Sequence, residues 1–157
     1  MRPFLRWAGG KRWLTQQGIV GPSAHARLVE PFVGGGALFF SREWEKAVLA
    51  DVNRFLINAY LQMKEAHLSL FDRVEEHFDR HSKGRYYEVR ARMGSSSVQD
   101  AADFIYLNRA CFNGLFRVNL AGRFNVPIGT KVYELRDLGE FEQWSMRLRR
   151  ADIRVAD

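Results

Sequence analysis

Apolar and polar positions along the chain fall into three blocks with different patterns. In the first, up to about residue 54, Leu28-Val29-Glu30 is a short apolar run ending in an acid, and it reads as the end of a β-strand. A turn follows from Pro31 to Gly36, and Ala37-Leu38-Phe39-Phe40 is expected to open a helix. Ala47-Val48-Leu49-Ala50-Asp51 reads as a second strand that also ends in an acid. Strand, glycine turn, helix and strand form the opening unit of a doubly wound α/β sheet.

In the second block, residues 55–134, Phe55 to His67, Leu68 to His81 and Tyr86 to Met93 carry apolar residues at helical spacing. Gly94-Ser95-Ser96-Ser97 breaks the pattern, and Ser97 with Asp100 resembles a capping pair ahead of a helix through Leu107. Asn113 to Gly129 is rich in glycine and asparagine and reads as loop and hairpin. The third block, 135–157, predicts one amphipathic basic helix, roughly Glu140 to Arg150, and the beginning of a strand at Asp152-Ile153-Arg154-Val155. The whole reads as an α/β domain with a mainly helical lobe inserted into it.

Composition adds limits. The chain has 157 residues, 46% of them hydrophobic and 27% charged, an ordinary soluble globular balance. No apolar run approaches the ~20 residues of a membrane helix, and the N-terminus has no stretch suited to a secretory signal. With the single Cys111, which cannot form an internal disulfide, these features set the expectation of a cytoplasmic protein. The net charge is +6, and lysine occurs only at Lys11, Lys46, Lys64, Lys83 and Lys131, so arginine carries most of it. Arginine's planar fork suits phosphates and guanine edges. A GC-rich genome yields the same bias, so charge permits a nucleic-acid partner without establishing one.

Glu30-Pro31-Phe32-Val33-Gly34-Gly35-Gly36 lies between a strand and a helix, where glycines permit positive φ and close approach of a ligand to the backbone. Asp51, at the end of the next strand, is placed to accept hydrogen bonds from ribose hydroxyls. Neither a G-x-G-x-x-G pattern nor a Walker lysine is present. An adenosyl ligand without phosphate suits this turn better. Phe4-Leu5-Arg6-Trp7-Ala8-Gly9-Gly10-Lys11 reads as a lip over the same pocket, with Trp7 covering an apolar ligand and Lys11 meeting a carboxylate.

Four segments together resemble the Dam-type (D12 class) DNA adenine-N6 methyltransferases: FLRWAGGK, LVEPFVGGGALFF, LADVNRFLINAY and FIYLNRACFNGLFRVNLAGRFNVPIG. The resemblance covers nearly the whole chain. It implies an incomplete Rossmann-like methyltransferase domain divided into a cofactor-binding part at 1–54, a target-recognition lobe at 55–134 and a return to the methyltransferase domain at 135–157. The cofactor implied is S-adenosylmethionine, held by Trp7, Lys11, Glu30, Pro31, Phe32, Gly34, Gly35, Gly36 and Asp51. The partner implied is double-stranded DNA at GATC-like sites. Phe112 matches the aromatic that stacks where the target adenine leaves the duplex, and Arg117 a guanine-reading arginine. Asn113, Leu115 and Pro127 match other residues at the DNA surface, and Arg109 and Asn119 belong to the same segment. The implied reaction, methyl transfer to the N6 amino group of adenine, uses no metal. Consistently, His25, His67, His77 and His81 are scattered, and His-Phe-Asp-Arg-His from His77 to His81 is not a metalloprotease pattern. Cys111 has no evident base partner, and the arginines at 147, 149, 150 and 154 read as a solvated face.

The family holds the target amine with an Asp-Pro-Pro-Tyr loop, and these 157 residues contain none: Pro3, Pro22, Pro31 and Pro127 are never adjacent. No catalytic residue is therefore assigned. Three readings stay open: part of a complete enzyme, half of a split enzyme completed by a second polypeptide, or a remnant that binds DNA or cofactor without catalysis. A sheet with few strands has an open edge and an uncovered face, so a homodimer, strand exchange or a complementing polypeptide is expected. Sedimentation equilibrium checks this: a species heavier than one chain is expected, and a well-behaved monomer counts against it.

Overall fold

The computed structural model describes residues 1–10 and 27–156. Strand β1 (Arg27–Glu30) runs parallel to β2 (Lys46–Asp51), and β2 parallel to β3 (Ala151–Val155), in the sheet order β1-β2-β3. Parallel neighbours require a crossover. Between β2 and β3 that crossover contains five helices: α1 (Arg54–Glu65), α2 (His67–Asp79), α3 (Lys83–Arg92), α4 (Val98–Ala110) and α5 (Leu138–Leu148). The β1–β2 register sets Glu30 opposite Leu49, so both strands end at one edge with their acids, Glu30 and Asp51, close to the turn that follows β1.

The helix expected from Ala37 does not form. A single 3-10 turn, Phe39–Ser41, stands there instead, and Arg42 is already extended with φ −152°. The reason is packing. Phe39 and Phe40 are both buried, in an aromatic cluster with Phe4 and Tyr60 that sets their positions. Moreover the Trp44 indole donates to the Phe39 carbonyl at 3.0 Å, occupying an acceptor a continuing helix would need. The helices expected over Phe55–His67 and Leu68–His81 are present but break at Ala66, whose N–H still bonds the Gln62 carbonyl at 2.8 Å.

Helix α4 is buried on nearly all sides, with Ala101, Ala102, Phe104, Ile105, Tyr106 and Leu107 in the core. Its start is fixed by the expected capping box: Ser97 accepts from the Asp100 N–H, and the Asp100 carboxylate accepts from the Ser97 N–H. Helix α1 packs on α4 and also on α5 and β3. The helices expected as an inserted lobe contribute to the same cluster of buried hydrophobic residues as the sheet. Helix α5 starts on an Asp137 cap, and its Trp144 indole donates to the Arg2 carbonyl at 2.8 Å, fastening the N-terminal segment to the helices. Of the arginines expected on a solvated face, Arg147 and Arg150 lie 3.9 and 4.0 Å from Glu43. No helix among the described residues is long and apolar enough to cross a membrane.

Buried carboxylates among the described residues include Glu30 and Asp103. Asp103 on α4 is 1% exposed. It accepts from both Nε and NH2 of Arg92 (2.8 and 3.0 Å) and from Gln99 (2.7 Å), and lies 2.8 Å from His77 Nε2. Arg85 approaches Nδ1 of the same imidazole at 3.2 Å. A guanidinium donates but cannot accept, so this arrangement favours the imidazole with its proton on Nε2, directed at Asp103. Burial by itself would raise the Asp103 pKa, but hydrogen bonds from His77, Arg92 and Gln99 outweigh it and hold the carboxyl at about 2. Since the folded-state value lies below the unfolded one, the stabilisation is present above pH ~4 and is lost as pH falls toward 2; it is worth about 2 kcal/mol. Asp103→Asn is therefore expected to lower the urea midpoint at pH 7, and the gap from the unsubstituted chain should narrow between pH 4 and pH 2. A gap independent of pH would assign the loss to packing alone.

Candidate functional site

The turn after β1 is fastened at several points. The Val33 N–H donates to the Ala50 carbonyl at 2.9 Å, and the Gly34 N–H to Asp51 Oδ2 at 3.1 Å. From below, the Tyr60 hydroxyl on α1 donates to the Gly34 carbonyl at 3.0 Å. Burial, and then the charges of Glu30 and Asp51, push the Tyr60 hydroxyl well above its ordinary pKa, so it stays a neutral donor. Asp51 Oδ1 accepts from the Asn53 N–H at 3.0 Å, and Asn53 caps α1 through the N–H groups of Phe55 and Leu56. Asp51 thereby joins the glycine turn to the start of α1. Each of its oxygens still has acceptor capacity after one such bond.

Trp7 lies against this turn. A Cβ on Gly34 would come within 2.8 Å of Trp7 Cδ1, and one on Gly35 within 3.0 Å of Trp7 Cβ. Gly34 and Gly36 have φ of +50° and +70°, a region that L side chains rarely adopt. What rests on the glycine backbone in this structure is the indole. Beside it lies a cavity of about 190 Å³ whose walls include Trp7, Glu30, Phe32, Gly34, Gly35 and Asp51. Trp7 is also a wall of two larger cavities. One of about 790 Å³ reaches Arg6, Arg109, Asn113 and Tyr133, and the other, of about 810 Å³, reaches Asn53, Phe55, Met93 and Phe116. Pro31 is exposed at the start of the turn, and Lys11 lies outside the described residues.

The segment carrying Trp7 is gripped by α4. Asn108, 2% exposed, accepts from the Arg6 N–H at 2.8 Å and donates to the Arg6 carbonyl at 2.7 Å, imitating a strand partner. The Arg6 guanidinium sits 3.7 Å above the Tyr133 ring. Immediately after α4 the chain forms the expected hairpin, with bridges Cys111–Ile128 and Val118–Phe124. Asn113 is the sole non-glycine residue with positive φ among those described. Gly114 approaches Arg6 so closely that a Cβ there would lie 2.6 Å from Arg6 Cβ.

The expected DNA-facing residues divide by environment. Phe112, Asn113, Leu115 and Pro127 are exposed, Phe112 by 49%. Arg117 is exposed too, its Nε bonded to Asn125 Oδ1 across the hairpin at 2.8 Å. Asn119 closes the hairpin tip by accepting from the Ala121 and Arg123 N–H groups at 3.0 and 2.9 Å. Arg109 turns inward and donates from Nε to the Tyr133 carbonyl at 2.6 Å. Its burial lowers its pKa to about 10, so it is charged at neutral pH. Cys111 is buried; its thiol is pushed up to about 11 by that burial, which suppresses the thiolate.

Residues 7–157 match the model of the D12 class N6 adenine-specific DNA methyltransferases. The chain belongs to this family. It is 43% identical over 136 residues to a type II methyltransferase from Lactococcus lactis subsp. cremoris, covering 82% of this chain and 48% of that protein. It is also 39% identical over 134 residues to a DNA adenine methylase from Haemophilus influenzae, covering 82% and 47%. Against the DNA N-6-adenine-methyltransferase of Escherichia phage P1 the identity is 40% over 148 residues, 89% of this chain and 20% of the other. The chain spans about half the length of several of these relatives.

In this D12-class chain the four segments that carry the resemblance converge on Trp7 and the turn beneath it. Tyr60, Asn108 and Phe116 are the residues that join them. Helical spacing marks Tyr60 as inward-facing, but its hydroxyl contact depends on where α1 lies. Gly36 exposes that dependence, because a Cβ there would meet the Tyr60 hydroxyl at 2.5 Å and the Phe40 ring at 3.1 Å. Gly36→Ala is expected to cost more than the ~1–2 kcal/mol of left-handed backbone strain alone, and a Tyr60→Phe background should reduce that cost. Urea unfolding of the four chains in this cycle measures it; equal costs in both backgrounds would clear the hydroxyl of excluding a side chain.

Proposed function

We propose that this chain supplies the cofactor-binding and DNA-reading parts of an adenine-N6 DNA methyltransferase acting at GATC-like sites. The observation that carries the proposal, in a chain of this family, is the cavity between the Trp7 lip, the glycine turn and the Asp51 carboxylate, with Trp7 also a wall of two larger cavities that reach Asn113 and Phe116. Relatives are named as DNA adenine methylases.

The donor set suits S-adenosylmethionine. Asp51 offers acceptor capacity for ribose hydroxyls, and Phe32 with Trp7 offers apolar surface. Glu30, Val33, Gly34 and Gly35 form the floor, Pro31 and Gly36 bound the turn that carries them, and Lys11 is assigned to the carboxylate end. The cavity beside the turn is below the ~300 Å³ at which ligand pockets begin. The larger space on the other side of Trp7 shares Gly10, Gly35 and Ala37 with it, so an elongated ligand runs past the lip.

When bound, the cofactor supplies an electrophilic methyl group. The protein's own work is positional, because in-line transfer to an amine that has been flipped out gains mainly from orientation. Phe112 and Leu115 present apolar surface for the space the adenine leaves, and Arg117 reads a guanine edge. Asn113, Asn119 and Pro127 shape the hairpin against the duplex. Arg109 positions this surface by holding the Tyr133 backbone. The acceptors for the adenine amino group belong to an Asp-Pro-Pro-Tyr loop that these 157 residues do not contain.

Two binding measurements and one activity assay test the reading. Asp51→Asn should weaken S-adenosylhomocysteine binding about tenfold or more, as expected for a charged hydrogen-bond acceptor. Arg117→Ala should lose roughly tenfold on a GATC duplex, within the range of a bidentate base contact, with little change on random duplex. Equal loss on both duplexes would make Arg117 a phosphate contact. Tritium transfer to a GATC duplex should require a second polypeptide carrying Asp-Pro-Pro-Tyr. Strong transfer by the chain alone, or no cofactor binding at all, would overturn the proposal.

A further inference from the structure

Phe116 sits between two residues assigned to DNA, Leu115 and Arg117, and faces the other way. Leu115 and Arg117 are exposed, whereas the Phe116 ring packs inward against the core. It stacks on Trp7 with ring centroids 5.8 Å apart and planes 18° from parallel. The same ring meets Phe55 at 5.8 Å, just beyond the α1 cap, Phe104 of α4 at 5.8 Å and Phe124 of the returning hairpin strand at 5.7 Å. Its inner partner, Trp7, is seated on Gly34 and Gly35 and is a wall of all three cavities described above.

We infer that Phe116 is a positioning residue that links occupancy of the cofactor cavity to the aim of Arg117. The inference rests on the cofactor and DNA sites proposed above. A ligand in the cavity beside Gly34 contacts Trp7 and fixes its ring. Trp7 then fixes Phe116 through the stack, and one peptide unit separates Phe116 from Arg117. The hairpin backbone is closed by Asn119 and by the Asn125 N–H to Arg117 carbonyl bond at 3.1 Å, so a shift at Phe116 is carried to Arg117 rather than absorbed between them. Such coupling is reciprocal: whatever factor the cofactor contributes to DNA affinity, DNA contributes to cofactor affinity.

The experiment is a thermodynamic cycle by titration calorimetry on the whole chain. S-adenosylhomocysteine is titrated with and without a GATC duplex, into the unsubstituted chain, Phe116→Leu and Phe116→Tyr. The unsubstituted chain is expected to bind S-adenosylhomocysteine on the order of tenfold tighter when the duplex is present. Phe116→Leu fills a similar volume without the aromatic face and should bring that factor close to one, with each separate affinity changed by less than about threefold. Phe116→Tyr restores a stacking face and should restore the factor. An unchanged factor in Phe116→Leu overturns the inference, as does a factor of one in the unsubstituted chain when both ligands bind. Parallel loss of both separate affinities with a lowered urea midpoint would reduce Phe116 to a packing residue and also overturn it. An unsubstituted chain that binds neither ligand instead removes the proposed function on which the inference stands.

Discussion

The site depends first on the two backbone bonds that Asp51 accepts. One carboxylate oxygen takes the Gly34 N–H and the other the Asn53 N–H, so the end of β2 fixes both the glycine turn and the first residue before α1. A carboxylate accepting such bonds is held in one orientation, and its charge makes each stronger than a neutral equivalent. From this anchor the geometry spreads. Asn53 caps α1, α1 brings Tyr60 beneath the turn, and Tyr60 fixes the Gly34 carbonyl. Positive φ at Gly34 and Gly36 then leaves the upper side of the turn open, and Trp7 takes that place. Only after these steps does a cavity exist beside Asp51.

Much of this was legible in the sequence because the signals were local. The two strands ending in Glu30 and Asp51, the turn between Pro31 and Gly36, the Ser97–Asp100 box and the hairpin after residue 111 each have a nearby pattern that specifies them. Ala37-Leu38-Phe39-Phe40 misled because its composition is compatible with a helix, while its fate is decided by Trp44 and by the aromatic cluster of Phe4, Phe40 and Tyr60. Tertiary packing overrides a short propensity signal of that kind. Asn108 was hidden for another reason. Its partner is the backbone of Arg6, 102 residues away, and a backbone partner leaves no pattern in residue types.

Arginine at positions 109 and 117 shows how the same residue type divides by environment. Arg117 is exposed and its guanidinium is held by Asn125, an orientation set before any partner arrives. Arg109 shares its segment but is only half-exposed, and its Nε is taken by the Tyr133 carbonyl. Charge counted from the sequence treats the two alike. What separates them is the partner each already holds, a backbone carbonyl for Arg109 and a side-chain amide for Arg117.

Helix α4 gives these parts a common frame. Near its first turns Asp103 is gripped by Arg92, Gln99 and His77, and at its far end Asn108 grips the strand-like segment that carries Trp7. The hairpin root follows directly, through the Cys111–Ile128 bridge. The lip and the hairpin root are therefore both tied to one buried helix by directional hydrogen bonds, and their separation is fixed. The contact between the lip and the middle of the hairpin is of a different kind. The Trp7–Phe116 stack is an aromatic contact, with centroids 5.8 Å apart and planes 18° from parallel, an arrangement that the ring quadrupoles favour. With lip and hairpin root held by the same helix, the Trp7–Phe116 stack is where the ring of Trp7 meets the middle of the hairpin, and Phe55, Phe104 and Phe124 close around the same Phe116 ring.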